Sequence, residues 1–293
     1  MSTINEGLSA PGNGFLSDTW VILKRWLVIK SRDPMVLIFT LFQPVVFLVL
    51  FSQVFGGATS SAWSGSLGGD VDYVTYLIPA IVIQSAFFAA GHSGVGLTDD
   101  METGMLDKIF ASPIHRGAVI LGKTLAEVAQ IVVQTLIILV LGYVLVWLGN
   151  GGTVGTYVAT GFLGALGIIA VAMVFAVWFA ALSNIIAAAT GDGEGTATAM
   201  MLLQFPMLFL SSAFLPLDAL PDWVQIVAKF NPFTYGTDAA RALMLGPHVS
   251  STITLSSFDG VWSTVVPAVV ILGVLDIVLG VIAVRVLTRT LQP

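Results

Sequence analysis

One short segment of this chain has the spacing of a phosphate-binding loop. Residues 117–124 read GAVILGKT and match the pattern G-x-x-x-x-G-K-[ST] at every fixed position. Such a loop cradles phosphates only where it follows a buried strand and opens a helix of a nucleotide-binding domain. Here Pro113 lies just before the match, an apolar run follows it, and no apolar segment ending in Asp-Glu comes later to hold magnesium. We predict that the match is accidental and that Lys123 is an interfacial cation on a helix.

The sequence offers little other material for metal or nucleophilic chemistry. It has no cysteine, and its three histidines are scattered without a His-x-x-x-His pair. Disulfides, thiolate metal sites and cysteine nucleophiles are therefore excluded, and we predict no metal site.

A stripe of polar residues interrupts one of the apolar segments. Glu127, Gln130 and Gln134 follow Lys123 at spacings of four, three and four, which places all of them on one face of a helix. Lys123 and Glu127 are close enough in this arrangement to pair. Because polar groups in a bilayer usually face a cavity or a protein neighbour, the stripe either lines a translocation path or bonds across a subunit seam.

Other polar residues stand alone in apolar surroundings. Asp276, near the middle of the last apolar segment, looks like the most buried carboxylate of the chain. It is protonated, paired with a polar neighbour, or part of a translocation path. For the remaining lone polar residues we expect hydrogen bonds between helices rather than contacts with a ligand: Gln43, Gln84, His92 and Gln204.

The elements that carry these residues belong in a membrane. Hydrophobic residues make up 56% of the 293, charged residues 10%, and the mean hydropathy is +0.95. Soluble domains average about 45–50% apolar and about 25% charged residues. A crossing helix needs about 20 mostly apolar residues. The predicted fold is an all-α integral membrane protein whose domain, residues 34–290, has six such segments: 35–55, 73–96, 118–148, 157–182, 196–214 and 263–284.

The positions of lysine and arginine predict the orientation. With the N-terminus inside, nine of the eleven basic residues lie on the cytoplasmic side, and only Lys229 and Arg241 lie outside. Cytoplasmic flanks carry such an excess, so both termini are predicted to be cytoplasmic. The first residues do not have the pattern of a cleavable signal peptide.

The N-terminal region divides into two parts. Residues 1–15 are polar and contain glycine and proline, which predicts a flexible tail. Residues 16–33 alternate tryptophan and aliphatic residues with lysine and arginine at helical spacing, which is typical of a helix lying at the membrane surface. The segment is either a simple positive anchor or a helix that also touches a cytoplasmic partner.

The loop between the second and third segments also predicts a short helix. Read as a helix over residues 102–111, it places Met105, Leu106, Ile109 and Phe110 on one face. Three carboxylates would then lie at its N-terminal end, where they favour the helix dipole: Asp99, Asp100 and Glu102. An apolar face without a soluble domain to cover it indicates contact with the bilayer surface or with a protein partner.

Several of these residues resemble the signature of a known family, the type-2 ABC exporter permeases, closest to the daunorubicin- and multidrug-resistance branch. The inner-loop pattern runs from Asp100 through Gly104, Asp107 and Lys108 to Ser112-Pro113. A second pattern runs from Phe214-Leu215-Pro216 through Asn231-Pro232-Phe233-Thr234-Tyr235 to Asp238-x-x-Arg241. The likeness covers residues 16–290.

The resemblance implies a permease subunit that is not itself an enzyme and has no catalytic residue and no cofactor of its own. It implies assembly with itself, as a homodimer or with a homologous permease, and with two copies of a separate ATPase that binds ATP and magnesium. The loop segment Asp99–Phe110 would be the coupling helix that docks on that ATPase, and the N-terminal helix would contribute to the same interface. The outer helices between the fifth and sixth spans would form a gate that includes Pro216, Pro221, Trp223, Asn231, Pro232, Tyr235 and Arg241.

The implied activity is export of a drug-like or lipid-like amphiphile across a prokaryotic plasma membrane, with no role for nucleic acid. Three alternatives stay open. The same fold could export a polysaccharide, a lipid-linked glycan or a haem-related cargo. The chain could instead be an ion-gradient-driven carrier that uses Glu127 and Asp276 as proton sites, or a membrane scaffold that transports nothing.

Overall fold

The computed structural model describes residues 14–32, 34–56, 72–149, 157–246, 252 and 258–290. Most of the predicted N-terminal tail lies outside this part of the chain. The described residues contain no strand; they form one 3-10 turn, Leu217–Ala219, and eleven α-helices. The helices are α1 Phe15–Arg32, α2 Pro34–Gly56, α3 Tyr73–Gly91, α4 Ser93–Glu102, α5 Met105–Phe110, α6 Arg116–Gly149, α7 Gly161–Thr190, α8 Gly193–Phe209, α9 Asp222–Ala228, α10 Pro232–Leu245 and α11 Trp262–Thr290.

Four stretches of the described helices are long and apolar enough to cross a bilayer. They are Tyr73–Glu102, Gly117–Gly149, Gly161–Thr190 and Trp262–Val286, and a shorter apolar stretch, Leu41–Phe55, lies within α2. These stretches coincide with five of the six predicted segments. The remaining predicted segment, the fifth in chain order at residues 196–214, corresponds to α8, which ends earlier, at Phe209. At this end of the helix the Asn231 side chain donates hydrogen bonds to the carbonyl groups of Met207 and Leu210, at 2.5 and 2.9 Å.

The helix α3 lies at the centre of the bundle. Nearly all of its residues are buried, and it contacts α2, α6, α7 and α10. Its Phe87 packs against a cluster of aromatic rings, with ring centroids 4.1 Å from Phe179 and 5.2 Å from Phe233. A helix that is apolar on all sides is buried on all sides, and this sequence pattern therefore places α3 inside.

The helix α1 packs on the first turns of α6. Ile22 and Trp26 are buried in this contact, whereas Leu16 and Trp20 on the other face are 81% and 62% exposed. Gly122 of α6 permits the close approach, because a Cβ there would lie 2.8 Å from Ile22 Cβ. The helix predicted over residues 16–33 is present, with one apolar face covered and the other exposed, and its position at the membrane surface stays a prediction.

The loop helix predicted over residues 102–111 is wrong in its extent. The chain is helical up to Glu102, turns at Gly104 with φ of +63°, and resumes as the six-residue α5. Glycine adopts this left-handed conformation at little cost, which fixes the turn. Asp99, Asp100 and Glu102 therefore lie at the C-terminal end of α4, and not at the N-terminal end of the loop helix.

Candidate functional site: a broken helix and the cavity beside it

The second apolar segment is not one helix but two, α3 and α4, which meet at His92. An interruption of a helix inside a bundle weakens the helical hydrogen bonds around it, and side chains of the bundle can add donors to the carbonyl groups there. Side chains supply these donors: Gln204 Nε2 donates to Phe87 O at 2.9 Å, His92 Nδ1 to Phe88 O at 2.8 Å, and Ser183 Oγ to Gly91 O at 2.6 Å. Helices α7 and α8 therefore stabilise the break.

Glycines let the neighbouring helices come this close. The backbone N–H of Gly94 donates to Ser183 Oγ at 2.8 Å, and a Cβ at Gly94 would overlap the carbonyl oxygen of Ser183. A Cβ at Gly91 would likewise overlap the amide group of Gln204. The break consequently depends on small residues on one side and hydrogen-bonding residues on the other.

A buried ion pair holds the start of α4 from the opposite side. Lys123 Nζ lies 2.7 Å from Glu127 Oε1, and it also donates to the Ser93 carbonyl at 2.7 Å and to Asn184 Oδ1 at 3.0 Å. Ser93 Oγ in turn donates to Glu127 Oε1 at 2.5 Å. The prediction that Lys123 is an interfacial cation is wrong, because these acceptors compensate its charge inside the protein.

The same geometry explains the phosphate-loop match. Residues 117–124 lie in the first turns of the continuous helix α6, so their backbone N–H groups do not form a loop around an anion. Gly122 serves the packing of α1, and Lys123 is bound to groups of its own chain. Residues 117–124 therefore serve helix packing in α6 and do not form a phosphate-binding loop.

The polar stripe of α6 meets helices of the same chain. Gln130 accepts a hydrogen bond from Lys30 of α1 at 2.5 Å, and Gln134 accepts one from Ser85 of α3 at 3.4 Å. Burial lowers the pKa of Lys30, and the charge of Glu127 opposes that shift. These two contacts are made within the chain, and the role of the stripe in a translocation path or a subunit seam stays a prediction.

Asp276 is not the most buried carboxylate. It is partly exposed, whereas Asp18, Glu127 and Asp238 are 3%, 5% and 5% exposed. The reason is that α11 lies at the edge of the bundle, where the next residue, Ile277, is 69% exposed. The Oδ1 atom of Asp276 is nevertheless buried and has no hydrogen-bond partner among the described residues.

The segment predicted to couple to an ATPase divides into buried and exposed residues. Leu106 and Ile109 are 2% and 6% exposed, and they pack in a core with Trp26 of α1 and Leu97 of α4. The prediction that their face is uncovered is wrong, because α1 supplies the cover. The exposed charged side chains on this segment are Asp99, Glu102, Asp107 and Lys108, while Met105 is partly buried.

Two charged contacts fasten α1 to this segment. Arg25 donates two hydrogen bonds to Asp100, at 2.8 and 2.5 Å. Asp18 accepts from the backbone N–H of His115 at 3.1 Å and from its Nδ1 at 2.8 Å. The hydrogen bond from the His115 side chain lowers the pKa of Asp18. The helices α1, α4 and α5 and the start of α6 therefore form one connected unit.

The predicted gate residues lie at the other end of the bundle. Asn231 caps α10 through the backbone N–H of Phe233, with Pro232 at the first helical position. Arg241 is fully buried, donates to the carbonyl groups of Ser212 at 2.5 Å and Ala213, and lies 3.8 Å from the Tyr76 ring centroid. These contacts fix α10 to the turn after α8.

The remaining gate residues differ in burial: Trp223 is exposed, whereas Tyr235 is buried within α10. Trp223 on α9 is 61% exposed. Pro216 precedes the 3-10 turn, Pro221 precedes α9, and Tyr235 donates its hydroxyl to the Lys229 carbonyl. The structure thus joins Asn231, Pro232 and Arg241 to one packed corner and leaves Trp223 outside it.

Sequence reasoning missed the residues that hold the break. The hydrogen bond expected for Gln204 between helices is confirmed. Ser93, Ser183 and Asn184 belong to no sequence motif, and they were not predicted as site residues. The available signal was the adjacent Ser183-Asn184 pair inside the apolar run of α7. Gln43 and Gln84, also expected to bond between helices, make no hydrogen bond within the described part of the chain.

A cavity of about 310 Å³ opens beside the break, between α2, α4 and α8. Its apolar walls come from Phe88, Val95, Met200, Met201 and Phe205, and its polar side chains are Gln43, His92, Thr198 and Gln204. Among the described residues that line it, none carries a carboxylate, an ammonium or a guanidinium group. Methionine-rich, adaptable walls suit apolar molecules of varied shape.

Known proteins resemble this chain over most of its length. A family model described as ABC-2 type transporter matches residues 17–245. The chain is 27% identical to the daunorubicin resistance ABC transporter permease protein DrrB1 of Streptomyces coeruleorubidus, over 79% of this chain and 76% of that protein. It is 26% identical to the putative transport permease ycf38 of Cyanophora paradoxa, over 83% and 80%. It is 23% identical to the probable doxorubicin resistance ABC transporter permease protein DrrC of Mycobacterium tuberculosis, over 81% and 80%.

Proposed function

The chain belongs to the ABC-2 type transporter family, and we propose that it exports drug-like or lipid-like amphiphiles with energy from a separate ATPase subunit. Members of the family are membrane permease subunits, and similarity to drug-resistance permeases supports the role of a transmembrane exporter subunit. The observation that carries the cargo class is the cavity, because its walls combine aromatic and methionine side chains with a few uncharged polar groups.

In this proposal six helical segments cross the membrane. The four long apolar stretches are joined by α2, which has 23 residues, and by α8, which has 17. Both termini are cytoplasmic, since the basic residues concentrate on that side. The unit formed by α1, α4, α5 and the start of α6 then lies at the inner surface of a prokaryotic plasma membrane. The helices α9 and α10 lie at the outer surface.

The partner ATPase docks on the exposed side chains of the α4–α5 turn. Glu102, Asp107 and Lys108 supply charges for this contact, while Leu106 and Ile109 anchor α5 in the core beneath it. A rigid anchor with a charged rim is typical of a docking surface that transmits force. Two permeases and two ATPases make the complete exporter, and the exposed apolar faces of α2 and α8 supply the permease seam.

Movement of the docked segment reaches the cavity by a short route. The α4 helix connects the docking turn to His92, and His92 lies in the cavity wall. A displacement of α4 therefore changes the shape of the cavity, and the break at His92 is the hinge. ATP binding would act on this chain only through such movement, so the chain itself catalyses nothing.

Transport by inside-out vesicles tests the proposal. Vesicles containing the permease and its ATPase should accumulate a fluorescent amphiphile when ATP is added, and a protonophore should leave the rate unchanged. Vesicles whose ATPase cannot hydrolyse ATP are the control. Uptake that needs the proton gradient but not ATP would overturn the proposal in favour of an ion-driven carrier.

A further inference from the structure

Two side chains in the cavity wall are oriented by the broken helix itself. The carbonyl groups of Phe87 and Phe88 are consecutive, and they accept from Gln204 Nε2 and His92 Nδ1. A carbonyl oxygen can only accept, so the amide nitrogen of Gln204 and the Nδ1 atom of His92 must both carry the donated hydrogen. The break therefore fixes which end of each side chain is left for other partners.

Each of the two side chains keeps one acceptor atom for another partner. With hydrogen on Nδ1, a neutral imidazole has its lone pair on Nε2, and with Nε2 donating, the amide of Gln204 has Oε1 available. Neither atom bonds to a described residue. Gln43, on the facing helix α2, has no hydrogen bond to a described residue either. The lining offers no cation that would attract an anionic group.

From this arrangement we propose that His92 and Gln204 determine cargo specificity by accepting hydrogen bonds from the cargo. The inference rests on the proposed export function and specifies its substrate class. The cargo is an amphiphile with an aromatic or aliphatic body and at least one hydrogen-bond donor, a hydroxyl or an amine. A carboxylate or phosphate would place acceptors against these two acceptor atoms, and the described lining has no lysine or arginine to attract it, so we expect such cargo to bind more weakly.

Binding of matched pyrene probes tests the inference without ATP. The purified chain in nanodiscs is titrated with 1-pyrenemethanol, 1-methylpyrene and 1-pyrenecarboxylic acid, and probe partitioned into empty nanodiscs is subtracted. We expect 1-pyrenemethanol to bind about three- to tenfold more tightly than 1-methylpyrene, which is what one or two neutral hydrogen bonds supply. The carboxylic acid should bind most weakly.

Two substitutions of the same residue separate accepting from capping. His92→Lys keeps a donor for Phe88 O but has no acceptor, whereas His92→Gln keeps both. We expect His92→Gln to retain the preference for 1-pyrenemethanol and His92→Lys to lose it. Equal loss in both variants would show that His92 only caps the helix, and it would overturn the inference. Gln204→Lys is the matching donor-only change and should lose the preference too.

A third variant tests the location. Ala197→Trp places a large ring in the cavity from α8 and should abolish specific binding of all three probes. Unchanged binding would place the probes elsewhere and overturn the inference.

Failure of this inference and failure of the proposed function differ in their readouts. A complex that exports amphiphiles with ATP but shows no hydroxyl preference rejects only the acceptor pair. A chain with the preference whose complex exports nothing rejects the export function.

Discussion

At the scale of single residues, Lys123 and Glu127 show how strongly burial changes the role of a charge. Their side chains are only 8% and 6% exposed, and their mutual contact is supplemented by Ser93 and Asn184. A buried ion pair adds modest stability as a pair, but either member alone is an uncompensated charge. The pair therefore makes its two positions mutually dependent.

We expect Lys123→Met to destabilise the permease by on the order of 3–5 kcal/mol, because Glu127 is left buried without its cation. The double variant Lys123→Met with Glu127→Leu should recover much of this loss. Thermal unfolding in detergent measures both effects, with Lys24→Met on the exposed side of α1 as the control. A double variant no more stable than Lys123→Met would contradict the expectation. ATP binding by the assembled complex should not change.

A second residue-scale prediction concerns Gly94. Gly94→Ala brings a methyl group against the Ser183 carbonyl, which is backbone and cannot rotate away. We expect a loss of roughly 1–3 kcal/mol, the usual cost of overpacking. Gly273→Ala in α11 is the matched control, because a Cβ there meets no atom within 4 Å. It should be neutral or stabilising, as alanine is a better helix former. Equal melting temperatures for the two variants would count against the close contact.

At the scale of elements, α1, α4 and α5 pack together as one unit, which is the proposed docking site of the ATPase. Glu102→Arg with Asp107→Arg reverses two exposed charges while leaving Leu106 and Ile109 in place. We expect this double variant to lose co-purification of the ATPase and to stay in the membrane at normal levels. Asp218→Arg with Asp222→Arg makes the same change near α9 and should retain the ATPase. If both double variants retain it, the docking surface lies elsewhere.

The anchor of α1 has a defined pH dependence. The pKa of Asp18 is lowered from its ordinary value of 3.8 by hydrogen bonds from His115, so its contribution is fully present above pH 3.8 and is lost as the pH falls through the lowered folded-state pKa. We expect the backbone amides of α1 to exchange faster in Asp18→Asn than in the wild type at pH 7, and at the same rate in both at strongly acidic pH. Hydrogen exchange in α1 measures this, and Asp259→Asn is the control. A pH-independent difference would contradict the assignment.

At the scale of the whole molecule, the sequence predicted the elements better than their joints. Apolar length and the tryptophan-lysine pattern located α1, α2, α6, α7 and α11, because these signals are local. The break at His92 was not predictable, since its hydrogen-bond donors Ser183 and Gln204 are 92 and 117 residues away from the carbonyls they meet. For the same reason, the apolar face of α5 was evident, but its cover, Trp26, was not.

The long sequence separation of these donors has a consequence for biogenesis. The α3–α4 segment enters the membrane before Ser183 has been synthesised, and at about 5–20 residues per second the ribosome needs roughly 5–18 seconds for the intervening 92 residues. Until then Ser183 and Gln204 cannot donate to the carbonyl groups of Gly91 and Phe87, and only the bond from His92 to Phe88 O can form within the segment. We therefore expect the newborn segment to be a straighter, more regular helix until α7 and α8 arrive beside it. A chain truncated after α6 should preserve that straight helix, which makes the hinge one of the last features of the permease to mature.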